Sequence, residues 1–278
     1  MTYQLTYLNP FGLLLEAHSE NIKVTDIESE FLKDLFEKNQ LLVLRNFEMF
    51  HTTDDFSNYC QRWGEISLWP FGKVLDLIEH DNPQDHIFDH SYVPLHWDGM
   101  YRPQIPEYQI FRCLKAPELD QGGKTIFSNT ISALHHASSS DKELWQTAIG
   151  TYHRQMEFYH SKTISPVITK HPYKNSSIIR YNELVNDNKG EFINRPNASF
   201  SGIEKDKLNE FHQSLTRALY DPKNCYAHQW QENDIVIADN FSLLHGREAF
   251  ISKSPRHIQR VQVLSNPPFD NPSLESYQ

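Results

Sequence analysis

The run RHIQRVQVL, Arg256 to Leu264, limits what this chain can fold into more than any other stretch. Read as a strand, it puts Arg256, Ile258, Arg260 and Gln262 on one face and Val261 and Val263 on the other. Two arginines and a glutamine on the inward face of a core strand are costly unless something anionic pairs with them. The alternative is a strand whose polar face meets water, which antiparallel sheets allow. Either way this part of the chain is β-structure. With AHQWQENDIVIADNFSLLHGR, Ala227 to Arg247, it predicts two or three strands joined by short turns.

Upstream, helical and strand patterns alternate. TDIE, Thr25 to Glu28, reads as a capping box opening a helix through Ile27, Phe31, Leu35 and Phe36, followed by the strand LLVLRNF, Leu41 to Phe47. A second helix is expected after Thr53, with Phe56, Cys60 and Trp63 on one stripe and Gly64 as its stop. Residues 71–95 lack periodicity and read as a long loop or lid. Strands are expected at YQIFRCL and GKTIFSN, and a third helix after a capping box in SGIE, Ser201 to Glu204, running to about Tyr220. With no repeat, low-complexity tract or composition shift, residues 1–278 read as a single domain, mainly β with outer helices.

Charge excludes some partners. The 36 acidic residues outnumber the 26 basic ones, giving a formal charge of −10, which opposes binding to nucleic acid or an anionic membrane. Any anionic ligand must be held by a few placed cations. Three scattered cysteines, Cys60, Cys113 and Cys225, suggest neither a disulfide framework nor a cysteine zinc site. The N-terminal segment lacks the pattern of a signal peptide, so a cytoplasmic enzyme or binding protein acting on a small molecule is expected, with a homo-oligomer left open.

PLHWDGMY, Pro94 to Tyr101, places His96 and Asp98 two apart at the end of a strand-like run, before a turn at Gly99. Their side chains can converge on one point, and a metal ion is one candidate for it. A His-x-Asp pair is weak evidence alone, since His18 and Glu20 form a rival of the same shape. Its company strengthens it: DIVIAD runs into NFSLLHGR, placing His245 just beyond a strand end. Two imidazoles and a carboxylate leave about half an octahedron open, the arrangement non-haem Fe(II) oxygenases use, although zinc accepts the same ligands. A downstream arginine discriminates, because a 2-oxo acid chelating iron needs a cation for its far carboxylate.

HWD at His96 to Asp98, GGKTIFSN at Gly122 to Asn129, DNFSLLHGR at Asp239 to Arg247 and the Arg256/Arg260 pair together resemble the taurine and 2,4-D dioxygenase family of Fe(II)/2-oxoglutarate oxygenases. The resemblance implies a double-stranded β-helix, or jelly-roll, with His96, Asp98 and His245 holding Fe(II) and with 2-oxoglutarate and O2 as co-substrates. It implies Thr125 and Arg256 on the distal carboxylate of 2-oxoglutarate, and Arg260 beside the substrate's anionic group. Trp69 and Tyr101 are expected to receive a substrate ring, Trp97 to pack in the core, and Asn240 to support the turn carrying His245.

HWDGMY followed by RPQIPEYQIF departs from the HTD of sulfonate dioxygenases. It looks more like the branch that acts on an isonitrile made from an aromatic amino acid, which implies desaturation of a tyrosine-derived isonitrile to a vinyl isonitrile. The alternatives are a dioxygenase hydroxylating a sulfonate or other small acid, a zinc hydrolase, and a non-catalytic jelly-roll that binds a small acid. The hydrolase lacks an obvious glutamate base, and the binding protein leaves the arginine pair and Thr125 unexplained.

Overall fold

The structure is a computed structural model and describes residues 2–48, 50–156, 159–185 and 192–276. Its frame is a seven-stranded sheet in the order Tyr3–Tyr7, Leu13–Ala17, Leu41–Arg45, Ile235–Asp239, Tyr108–Lys115, His257–Val263 and Leu75–Ile78. All pairs are antiparallel except Leu13–Ala17 with Leu41–Arg45. Strands from the two ends of the chain therefore interleave in one sheet.

A four-stranded antiparallel sheet, Cys225–His228, Thr125–Asn129, Leu243–Arg247 and Val93–His96, packs across it. Alternation sorts the layers. Phe111, Val236 and Ile258 of the large sheet meet Phe127 and Leu243 of the small one, so an apolar core lies between the sheets. Each such side chain, fully buried, contributes about 1.5–3 kcal/mol. On the far side of the large sheet Ile110, Ile237, Val261 and Val263 pack against helices Ser29–Asn39 and Thr53–Cys60. Leu95 and Leu244, on the outer face of the small sheet, pack with Phe211 and Leu215 of helix Leu208–Leu219. This is the expected jelly-roll with outer helices.

Several local expectations are revised. The capping box that forms is Thr52 with Asp55, at the start of the second helix. Thr25 and Glu28 make none, because a 3-10 turn covers Val24–Asp26 and Arg62 takes the Thr25 and Ile27 carbonyls and Ser29 Oγ. Ser201 stays in strand Asn197–Ser201, and a 3-10 turn at Lys205–Lys207 leads uncapped into the third expected helix. The stretch from Ala227 to Leu264 holds all or part of four strands, not two or three. Residues 71–95 are not one loop: they contain Leu75–Ile78, an edge strand of the large sheet, and Val93–His96. Arg247 ties down the connection between them by donating to the carbonyls of His86, Ile87, Asp89 and Ser91.

A second four-stranded sheet, Asn197–Ser201, Ile149–Met156, Tyr159–Pro166 and Leu274–Ser276, was not anticipated. It lies in the stretch holding His153 and His160, whose sequence shows no clear period. No helix among the described residues is long and apolar enough to cross a membrane.

Candidate active site

His96 closes its strand, and His245 lies within Leu243–Arg247 as its direct antiparallel partner. The sequence put His245 past a strand end; being inside the strand fixes it more firmly. The two ring centroids are 4.3 Å apart. Asp98 follows on a turn at Gly99, whose φ of +98° suits glycine and where a Cβ would stand 2.8 Å from Ile105 Cα.

Asn240 braces this turn. Its Oδ1 accepts from the Asp98 N–H at 2.8 Å, while its Nδ2 donates to the carbonyls of Asp98 at 2.9 Å and Pro106 at 2.8 Å. The supporting role expected of Asn240 is present, but it serves Asp98 and not the His245 turn.

Among the described residues, His96, Asp98 and His245 bring three donor atoms within 4.8 Å of one another. His96 Nε2 is 3.8 Å from Asp98 Oδ1, and His245 Nε2 is 3.7 Å from Asp98 Oδ2. Donors about 2.1 Å from a shared ion stand roughly 3–3.6 Å apart, so small shifts close the set on a metal. Orientation and protonation agree. His96 Nδ1 lies 2.9 Å from the Pro94 carbonyl, so it carries the proton and leaves the Nε2 lone pair facing inward. Burial, then His96 and Arg260, push His245 down to about 3 against the pull of Asp98. Burial raises the Asp98 pKa, but Arg260, His245 and His96 outweigh it and hold the carboxyl well below its usual range. Two neutral imidazoles and one carboxylate are the forms a divalent metal requires.

Thr125 lies on the strand beside the one carrying His245, paired with Arg247, and Arg256 packs against Gly123 just before it. Thr125 Oγ1 accepts from Trp230 Nε1 at 3.0 Å, and Arg256 Nε donates to the Gly123 carbonyl at 3.0 Å. Gly123 has φ +78°, and a Cβ there would press to 3.1 Å from Arg256 Cδ, so glycine makes room for the arginine. Arg256 is buried, and no ion pair of its own is found among the described residues. Burial pushes its pKa down to about 10. A desolvated guanidinium of this kind favours a bound carboxylate.

The inward face of His257–Val263 is as the alternation predicts, but Arg260 has a different partner from the one expected. Its Nη1 donates to Asp98 Oδ2 at 2.8 Å, and Gln262 Nε2 donates to the same oxygen at 2.7 Å. Arg260 lines the cavity, yet its contact is with the candidate metal ligand and not with a free substrate position. The pair leaves Asp98 Oδ1 without a hydrogen-bond partner among the described residues.

A cavity of about 600 Å³ opens beside His96 and Asp98. Its walls include the two expected aromatics. Tyr101 stacks on Tyr159 with centroids 5.8 Å apart, and Trp69 stacks on Phe71 at 5.6 Å. Trp97 is fully buried, edge-on to Tyr152 and against Arg180, as expected of a core residue, and it also contributes to the cavity wall.

Sequence reasoning missed the rest of the wall: Asp85 paired with Arg154, Glu183, Tyr159 and Arg102. Only Arg102 carried a usable signal, standing directly after HWDGMY. The carboxylates lining this wall are committed. Asp85 contacts Arg154 and the Asn194 amide, and Glu183 accepts from the Leu95 N–H and the Tyr220 hydroxyl. Neither is placed as the general base a zinc hydrolase needs.

The chain is 43% identical over 265 residues to a tyrosine isonitrile desaturase from Pseudomonas aeruginosa, covering 95% of this chain and 91% of that protein. It is also 43% identical to a tyrosine isonitrile desaturase from Erwinia amylovora, over 95% of this chain and 90% of the relative. Against the structure of PvcB, an Fe, alpha-ketoglutarate dependent oxygenase from an isonitrile synthetic pathway, the TM-score is 0.85 at 40% identity, covering 99% and 96% of the two chains. A taurine dioxygenase from Burkholderia xenovorans, 15% identical with a TM-score of 0.71 over 100% and 97% of the chains, shares the fold. The family model for taurine catabolism dioxygenases matches residues 8–262. With its jelly-roll and its strand-borne His-Asp-His group, the chain belongs to the TauD/TfdA dioxygenase family.

Proposed function

We propose that this chain is an Fe(II)/2-oxoglutarate-dependent oxygenase that desaturates a tyrosine-derived isonitrile to a vinyl isonitrile, with or without loss of the substrate's carboxylate. The observation that carries the reading is the His96, Asp98 and His245 donor group, of which His96 and Asp98 line an aromatic-walled cavity. The substrate class is supported by the two tyrosine isonitrile desaturases that share 43% of their residues with it.

His96, Asp98 and His245 hold the iron, and Thr125 with Arg256 receives the far carboxylate of 2-oxoglutarate. When bound, iron with 2-oxoglutarate and dioxygen supplies the oxidant for hydrogen removal from a C–H bond. The protein fixes which bond that is. Arg260 and Gln262 hold Asp98 Oδ2, so the carboxylate presents Oδ1 in one orientation. Trp69 Nε1 donates to Gln262 Oε1 at 2.8 Å, which joins the aromatic wall to the same network. Trp69, Phe71, Tyr101 and Tyr159 supply ring faces for a phenol, and a ring held there turns its benzylic carbon toward the donor group. That carbon neighbours the one bearing the isonitrile, so loss of its hydrogen begins formation of the alkene. In balance, the substrate loses two hydrogens, and also CO2 where its carboxylate departs, 2-oxoglutarate goes to succinate and CO2, and dioxygen supplies one oxygen to succinate and one to water.

The test is to incubate iron-loaded protein with tyrosine isonitrile, 2-oxoglutarate and oxygen and to analyse the product by mass spectrometry. The expected product is unsaturated and retains no new oxygen. No consumption of the isonitrile, with brisk turnover of taurine or another sulfonate, would contradict the substrate assignment.

A further inference from the structure

The substrate proposed above is an acid, and its carboxylate must be desolvated in a cavity whose wall already carries Asp85, Asp98 and Glu183. A cation has to receive it. Four arginines line the cavity: Arg102, Arg154, Arg195 and Arg260. Arg260 is bound to Asp98 at 2.8 Å, and Arg154 to Asp85. Arg195 is exposed at the rim, its Nη2 3.4 Å from the Val185 carbonyl.

Arg102 differs from the other three. It is half-buried, and among the described residues no carboxylate pairs with it. Its Nη2 donates to the Leu68 carbonyl at 2.7 Å, its guanidinium lies 4.4 Å over the Trp69 ring, and its buried Nε has no hydrogen-bond partner. A guanidinium carries five N–H donors, so most of its capacity is unspent. Burial lowers its pKa, opposed only by Tyr159.

We infer that Arg102 is the substrate's carboxylate anchor, a specificity-determining residue, and that Arg260 serves Asp98 instead. The inference rests on the proposed substrate. Its geometry links the anchor to the reacting end. Arg102 lies on Trp69, Trp69 donates to Gln262, and Gln262 donates to Asp98 at 2.7 Å. In tyrosine isonitrile the carboxylate and the benzylic carbon are attached to the same carbon. A carboxylate fixed on Arg102 therefore limits where the benzylic hydrogen can stand.

The experiment compares two ligands, tyrosine isonitrile and 2-(4-hydroxyphenyl)ethyl isocyanide, which lacks the carboxylate. Their binding to anaerobic protein loaded with iron and 2-oxoglutarate is measured by calorimetry, with KM and kcat taken in air. Arg102→Gln should weaken tyrosine isonitrile roughly 10- to 100-fold, the value of a charge-assisted pair, and leave the carboxylate-free ligand within about 2-fold. Arg102→Lys should recover part of the loss, because it restores charge without the planar fork. Unchanged binding of 2-oxoglutarate and of the carboxylate-free ligand reports an intact fold. Equal loss for both ligands, or no loss for either, would overturn the anchor while the substrate reading stands. Wild-type protein that ignores tyrosine isonitrile would overturn the substrate reading and the anchor with it.

Discussion

The two ends of the cavity are built from different material. At the donor end each side chain sits on, or just beyond, a strand of the jelly-roll, and its neighbours fix it: Pro94 for His96, Asn240 for the Asp98 turn, Arg260 and Gln262 for the Asp98 carboxylate. At the ring end the wall comes from the 68–88 segment and from the Ile149–Met156 and Tyr159–Pro166 strands, held by stacking and by the Asp85–Arg154 pair. On the proposed function, reaction type is carried by the core and selectivity by elements added to it. Changes at the donor end should act on all substrates alike, and changes at the ring end should discriminate among them.

The largest effect is expected at the donors. Asp98→Asn keeps the shape of the side chain and removes its charge, and His245→Ala removes a ligand; turnover of every substrate should drop below detection, with iron binding lost. Measurable turnover of any ligand by His245→Ala would break the contrast. Next is Asn240→Ala, which deletes the brace of the Asp98 turn without touching a donor. Iron affinity should fall about 10- to 100-fold, the usual effect of removing a support behind a ligand, and excess iron should restore kcat.

A smaller, selective change sharpens the other side. Trp69→Phe keeps an aromatic face but loses the bond to Gln262. KM for the aromatic isonitrile should rise a few-fold, about one hydrogen bond's worth, while KM for 2-oxoglutarate stays put. Movement of both in parallel would show that the two ends are not separable.

The smallest effect concerns stability alone. Burial and then Asp239 raise Glu107 from 4.5 to about 7. A carboxyl raised on folding takes a proton more readily in the native state, so its burial is free below pH 4.5 and destabilises increasingly as pH rises toward 7. Glu107→Gln should therefore raise Tm at pH 8 and leave it unchanged at pH 4; an equal shift at both would refute the assignment.

The same contrast explains what could be read from the sequence. Strand alternation is a strong, local rule, and it correctly grouped Arg260 with Gln262 and marked His96 and Asp98 as convergent. The partner of Arg260 was not legible, because Asp98 lies 162 residues away and meets it only through the packing of two sheets. Helix starts misled for a related reason. Thr25 and Ser201 sit in good capping sequences, but Arg62 and pairing with Ile149 claim the local backbone first. The face of Ile149–Met156 that carries buried Tyr152 also carries Arg154 and Met156 of the cavity wall, and the buried positions of Tyr159–Pro166 are Ser161 and Thr163, so neither strand shows an apolar–polar alternation. Asp85 and Arg154 are joined across 69 residues with no motif at either position.

The central claim, that His96, Asp98 and His245 form an iron site shared with a 2-oxo acid, is tested most directly by anaerobic titration. Fe(II) is added to metal-free protein, then 2-oxoglutarate, while the visible spectrum is followed. The account predicts stoichiometric iron binding and a metal-to-ligand charge-transfer band that needs both additions and is absent in His245→Ala. Iron bound equally well by His245→Ala, or no band at saturating 2-oxoglutarate in the wild type, would contradict it.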